Sequence, residues 1–190
     1  MVRRTDTRQR MLDSAAELFH QQGYHATGLN QLVAAGGAPK GSLYFHFPGG
    51  KEQLAAEAVR QSGAQLCELL AVIVANAPDA ATAIRNVIDA LAAALTESDF
   101  QRGCPLATVA LDAAGESEMI REACADGYRS WHAVIEDYLG RQGAVEPARL
   151  ATVALAAIEG GLLLARTLRD TAPLHAVATH LQATITEELS

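Results

Sequence analysis

The sequence predicts an all-α fold: an N-terminal three-helix module of helix-turn-helix form, followed by a larger helical bundle, about nine helices in all. Three observations carry this. Apolar residues recur at i, i+3, i+4 and i+7 through most of the chain. No stretch alternates apolar and polar residues long enough to make a persuasive strand. Gly and Pro fall in clusters that separate the periodic segments. Alanine richness adds helix propensity. The 190 residues, 49% hydrophobic and 19% charged, are enough to bury a substantial core, as one domain or as a small module fused to a larger one.

Taken in order, the breaks are Gly23, Gly36 with Gly37, Pro48 with Gly49 and Gly50, Pro78 with Asp79, Gly103 to Pro105, Gly115, Gly143, Pro147 and Pro173. They bound helices over about 7–22, 29–35, 39–46, 51–75, 79–97, 105–113, 117–141, 147–168 and 173–188. Leu12, Ala15, Ala16 and Phe19 set the apolar stripe of the first helix. Leu54, Ala58, Leu66, Leu69, Leu70 and Ile73 set that of the fourth, and Ile84, Val87, Ile88, Leu91 and Leu95 that of the fifth. Between the second and third helices stand only Gly36, Gly37 and Ala38, the length of the sharp turn in a helix-turn-helix. Within 39–46, Leu43 and the following Phe47 are placed to pack inward. Lys40, Gly41, Ser42 and Tyr44 then face elsewhere.

Charge is divided unevenly. Residues 1–51 hold six Lys/Arg against three Asp/Glu (+3), and residues 52–190 hold nine against nineteen (−10), giving the overall −7. A polyanion would be repelled by the whole and met by the first quarter. Other classes find little support. Three cysteines (Cys67, Cys104, Cys124) make no CxxC pair, which argues against a disulfide scaffold or a zinc module and fits a reducing cytoplasm. His175 and His180 are five apart, a poor spacing for shared metal ligation. No metal site and no cofactor are expected. No P-loop, GxSxG elbow, HExxH or dinucleotide fingerprint occurs, so no enzyme is expected. MVRRTDTRQR is followed by no apolar stretch, so no signal peptide is expected. Uninterrupted apolar runs fall well short of the ~20 residues of a membrane span.

The run from Gly37 to Glu52, GAPKGSLYFHFPGGKE, resembles the recognition helix and following turn of the TetR family of transcriptional repressors. Arg10 to Phe19 is similar to the family's first helix, Gly23 to Thr27 to its loop, and Leu32 with Val33 to the packed face of its second helix. The resemblance at motif level covers about residues 8–54. GCPL at 103–106 with residues 107–114, together with the APKGS and PGGK forms, looks like the LmrA/YxaF branch. The resemblance implies a DNA-binding role for Lys40, Gly41, Ser42, Tyr44, His46 and Lys51.

The residue chemistry reads alongside it. A helix in the major groove presents short polar side chains to base edges. Gly41 lets the backbone come close, Lys40 reaches guanine or a phosphate, and Ser42 bonds either. Tyr44 and His46 can hydrogen-bond phosphate oxygens. Lys51 opens a helix whose N-terminus favours a phosphate. Thr27, before the second helix, serves as a cap or a phosphate ligand. Asn30 and Gln31 in its first turn can touch backbone or base. Arg3, Arg4 and Arg8 add non-specific attraction. Departures from the family pattern are Gly28 and Pro39 where side-chain caps are frequent, a turn longer by one residue at Gly49-Gly50, and Phe45 in place of a polar aromatic. Phe45 reads equally well as a core aromatic; Tyr44 has that alternative too.

These readings divide the chain into a DNA-binding domain, residues 1–50, and a ligand-binding and dimerisation domain, residues 51–190. The expected function is a ligand-responsive repressor that binds a palindromic, double-stranded operator as a homodimer, works in the cytoplasm without a membrane partner, and leaves DNA when a small-molecule effector binds. The alternative is a helical ligand-binding or scaffolding dimer without specific DNA recognition. Ala154, Ala157, Gly160 and Gly161 in 147–168, with Leu174, Val177, Ala178, Leu181 and Ile185 in 173–188, are expected to form a four-helix dimer interface. Candidate effector-lining residues are Leu66, Leu70, Val87, Leu91, Phe100, Leu106, Val109, Tyr128, Trp131, Ile135, Glu159 and Leu162, each of which also reads as ordinary core. The pair Asp112 and Glu116 is expected only to solvate a helix end.

Overall fold

A computed structural model of the chain describes residues 2–189, with the side chains of residues 2–6 and of Lys40 outside the described residues. Among the described residues there are nine helices and no strand. They are α1 (Val2–Gln22), α2 (Leu29–Ala35), α3 (Lys40–His46), α4 (Gly50–Asn76), α5 (Ala80–Glu97), α6 (Pro105–Ala113), α7 (Glu118–Arg141), α8 (Pro147–Leu168) and α9 (Ala172–Glu188). The all-α expectation holds, and α1 begins five residues before the predicted start at residue 7.

The chain divides into two compact units. The first is Met1–Ala64 with Pro105–Tyr128; the second is Gln65–Cys104 with Arg129–Ser190. This division differs from a cut at residue 50, because α6 packs along α1 and so joins the first unit. Its core takes Met11, Ala15 and Phe19 from α1, Leu32 from α2, Leu43 from α3 and Phe47 just after it, Leu54 and Ala58 from α4, Leu106 and Val109 from α6, and Ile120 from α7. Ala15, Phe19, Leu54 and Ala58 belong to the stripes that the sequence period marks out. A polar seam adds to α1 and α4: Arg8 pairs with Glu57, and Gln61 bonds Asp13 at 2.7 Å and Gln9 at 2.9 Å.

In the second unit α9 packs on α5 and α8. Asp79 caps α5, its carboxylate accepting from the Thr82 amide at 2.7 Å, which holds its pKa down. The predicted dimer residues meet a different fate here. Leu174, Ala178, Leu181 and Ile185 are buried within the chain, as are Ala154 and Gly161. A Cβ on Gly161 would lie 3.1 Å from Val177 and 3.4 Å from Leu174, so the small residue serves the chain's own α8–α9 crossing.

Helices α4 and α8 are long and apolar enough to cross a membrane by length and composition alone. Neither is an uninterrupted apolar run: Arg60 to Gly63 breaks α4, and Glu159 to Gly161 and Arg166 with Thr167 break α8. Leu54, Ala55 and Val59 of α4 and Leu150, Ala151 and Ala165 of α8 are buried inside the protein.

Candidate nucleic-acid interface

The turn between α2 and α3 is built from backbone chemistry. Gly37 adopts φ +60°, the left-handed region that glycine enters without a Cβ clash. The Gly37 and Ala38 amides then donate to the carbonyls of Ala34 (3.1 Å) and Val33 (3.2 Å), closing the end of α2 in a Schellman arrangement. Gly36 lies against α1: a Cβ there would stand 2.7 Å from Met11 Cγ and 3.1 Å from its Cα. Pro39 is the residue before α3, and its carbonyl accepts from the Ser42 amide at 2.8 Å.

Leu43 and Phe47 are 1% and 0% exposed and anchor α3. Tyr44 and Phe45, at 58% and 57% exposed, stand on the outside with Gly41. Gly50, at φ +66°, lets the Tyr44 ring lie across it; a Cβ there would be 3.3 Å from Tyr44 Cε1. Ser42 and His46 are half-buried at the flanks of α3, and Asn30 and Gln31 are exposed on α2. Gln31 also accepts a hydrogen bond from the Gln22 amide at 2.8 Å.

Three expected contacts have partners within the protein. Thr27 is 0% exposed; its hydroxyl donates to the Gly23 carbonyl at 2.6 Å and accepts from Gln22 at 3.1 Å. It organises the α1–α2 turn instead of facing a phosphate. Lys51 is half-buried, with its ammonium 4.2 Å from the Tyr24 ring centroid; burial lowers its pKa, and nearby Asp112 opposes that. Arg8 pairs with Glu57 and lies 4.9 Å over the Phe47 ring. The Arg3, Arg4 and Lys40 side chains lie outside the described residues.

The sequence reading missed a group that holds this head from below. Asp112 at the end of α6 accepts from the His25 amide at 2.6 Å, and Glu116 lies 3.2 Å from His25 Nε2. Ser117, 8% exposed, donates its hydroxyl to Glu52 at the start of α4 and accepts from the Ile120 amide at 3.2 Å, capping α7. Burial, with Glu52 and Glu116 nearby, raises the pKa of the Tyr24 phenol. Nothing in the local sequence links residues 112–117 to residues 23–52; the fold brings them together.

The expected effector-lining residues belong to both units. Leu106, Val109 and Tyr128 lie in the first unit and the other nine in the second. Leu106 fills the space over Gly127, where a Cβ would collide with its Cδ2. Trp131 is 1% exposed in the second unit. Phe100, at φ +60°, lies under the Arg169 guanidinium at 5.7 Å. Glu159 is half-buried on α8; burial raises its carboxyl pKa, and a hydrogen bond with Cys104 partly offsets this. Among the described residues no three His, Cys, Asp or Glu side chains converge as metal ligands.

A three-helix head with a tight Gly turn and an outward recognition helix, set in an all-α chain, defines a helix-turn-helix regulator of transcription rather than an enzyme. The chain belongs to the TetR family of bacterial regulatory proteins, whose profile matches residues 11–58; residues 80–180 match the LmrA/YxaF-like C-terminal domain. The regulator LmrA of Bacillus subtilis is 40% identical over 171 residues, 89% of this chain and 91% of its own. YxaF of the same organism is 39% identical over 183 residues, 95% of this chain and 96% of its own. A crystal structure of a TetR transcriptional regulator from Chloroflexus aurantiacus superposes with a TM-score of 0.82 at 30% identity, covering 99% of this chain and 98% of its own.

Proposed function

We propose that this DNA-binding regulator is a ligand-responsive repressor that works in the cytoplasm, holding a palindromic operator as a homodimer until a small-molecule effector binds. Residues 1–50 read DNA, and residues 51–190 bind the effector and the second copy. The observation that carries this reading is the outward face of α3, where Gly41, Tyr44 and Phe45 are exposed while Leu43 and Phe47 lock the helix from beneath. Lys40, Ser42 and His46 complete the contact set, and Asn30 and Gln31 flank it.

Support for the dimer comes from α8. Val153 (47%), Leu163 (57%), Leu164 (54%) and Leu168 (64%) are exposed along one stripe with Ala156 and Gly160. A continuous apolar stripe of this kind marks a protein–protein contact, and two-fold symmetry matches a palindrome. Two recognition helices about 34–36 Å apart would enter successive major grooves. The effector sits in the second unit, with Trp131, Leu91 and Leu66 as apolar lining and Glu159 as the polar group. Because α4 runs unbroken from Gly50 to Asn76, a ligand that shifts its C-terminal half also moves its N-terminal half. Such coupling is typically worth about 1–3 kcal/mol.

A gel shift on the intergenic DNA upstream of the protein's own gene tests the reading. A specific complex that weakens as salt rises is expected, because released counterions set the electrostatic share of the affinity. Lys40→Ala with Tyr44→Phe weakens that complex by about tenfold or more. No salt-dependent complex on any such fragment would leave the helical ligand-binding or scaffolding dimer as the better account.

A further inference from the structure

One buried hydroxyl in the second unit has no partner. Tyr138 on α7 is 6% exposed, and its phenol oxygen makes no hydrogen bond; among the described residues it is the one fully buried side-chain oxygen or nitrogen left so. Buried donors are nearly always paired, because an unpaired one forfeits its hydration for nothing. Burial raises the phenol pKa, with Asp79 adding to the rise and Arg141 opposing it, so the hydroxyl keeps its proton and stays a donor.

The surroundings of this donor are apolar. Trp131 stands seven residues earlier, about two helical turns, so it shares the inward face of α7 with Tyr138, and it is 1% exposed. His132 Nε2 lies 3.1 Å from the Ala148 carbonyl and 2.9 Å from the Thr152 hydroxyl, so the last turns of α7 run beside the first turns of α8. Asp79 caps the start of α5 and its charge reaches the phenol, so α5 begins at this end of the unit too. The buried residues of these first turns include Ala80 and Ala83 on α5 and Ala151 and Ala154 on α8. Small-molecule sites are built in this way, from an apolar surround and a polar group that fixes orientation.

We propose that the Tyr138 hydroxyl is a polar anchor of the effector site, donating to a ketone, ester or ether oxygen on an uncharged and otherwise apolar molecule. The inference rests on the effector-binding reading above and adds the chemical class of the effector. Asp79 and Arg141 are both exposed and supply no buried counter-charge, so an ionised ligand would lose its hydration here without compensation.

The matched probes are acetophenone and α-methylstyrene, which differ only in C=O against C=CH2. Binding is read without DNA, from the ligand-dependent rise in melting temperature of the intact protein. Acetophenone should bind about fivefold more tightly, the worth of one neutral hydrogen bond. Tyr138→Phe should bind the two probes alike. Without ligand, that variant should melt at or above the parent, because it removes an unpaired buried hydroxyl. Equal binding of the probes by the parent, no binding of either, or a carbonyl preference that persists in Tyr138→Phe would overturn the inference. A ligand-free Tyr138→Phe that melts below the parent would overturn it as well, since the hydroxyl would then already be satisfied. A gel shift with acetophenone tests the effector reading separately: a carbonyl preference that depends on Tyr138 but leaves the DNA complex intact would keep the site and remove its regulatory role.

Discussion

Replacing Asp112 with alanine tests how the reading head is held. Its Oδ2 accepts from the His25 amide at 2.6 Å and would stand 3.0 Å from a Cβ on Gly23, a residue at φ +82°. The α1–α2 turn is thus left-handed, closely approached and tied to α6 through a carboxylate. A hydrogen bond to a charged group contributes about 1.5–3 kcal/mol; with His25 exposed, water replaces part of it, which places the loss near the lower bound. About 1.4 kcal/mol is tenfold in an opening equilibrium, so the His25 amide of Asp112→Ala should exchange hydrogen about tenfold faster. The Leu43 and Phe47 amides, inside or just after α3, should keep their parent rates. Asp112→Asn retains an acceptor oxygen and should fall between. Parent-like exchange at His25 in Asp112→Ala would refute the tether. Uniform acceleration of every amide would also refute it, because the loss would then be global.

Two further outcomes follow from packing and charge. Gly36→Ala places a methyl 2.7 Å from Met11 Cγ and 3.1 Å from its Cα, and overpacking of this kind costs about 1–3 kcal/mol in urea unfolding; an unchanged midpoint would mean that α1 and α2 separate freely. For Glu159, burial raises the folded carboxyl pKa above its ordinary value, so the native state holds the proton more tightly than the unfolded chain. Its contribution is fully present below the ordinary carboxylate pKa and is lost as pH rises through the folded one. Glu159→Gln, which mimics the protonated side chain, should melt close to the parent at acid pH and above it at neutral pH; a parent that melts higher at neutral pH would contradict this.

The all-α class, the helix breaks and the helix-turn-helix were legible in the sequence because each is written locally. A 3.6-residue apolar period, Gly36-Gly37 at a turn too short for ordinary residues, and the Leu43–Phe47 spacing need no knowledge of distant residues. The same spacing could not say whether the neighbouring Phe45 would be covered, since a seven-residue helix has no long stripe to settle its phase and another helix could have lain over it. Only the tertiary structure leaves that ring outside, draws Thr27 inside, and lays Lys51 on Tyr24. It also decides what covers an apolar face. The period of Leu174, Leu181 and Ile185 announces a stripe on α9 but not its occupant, which proves to be the chain's own α5 and α8. Asp112 and His25 are 87 residues apart, and no local propensity encodes their meeting. Backbone period and turn chemistry are short-range properties, whereas the partner of each face is fixed by packing the whole chain at once.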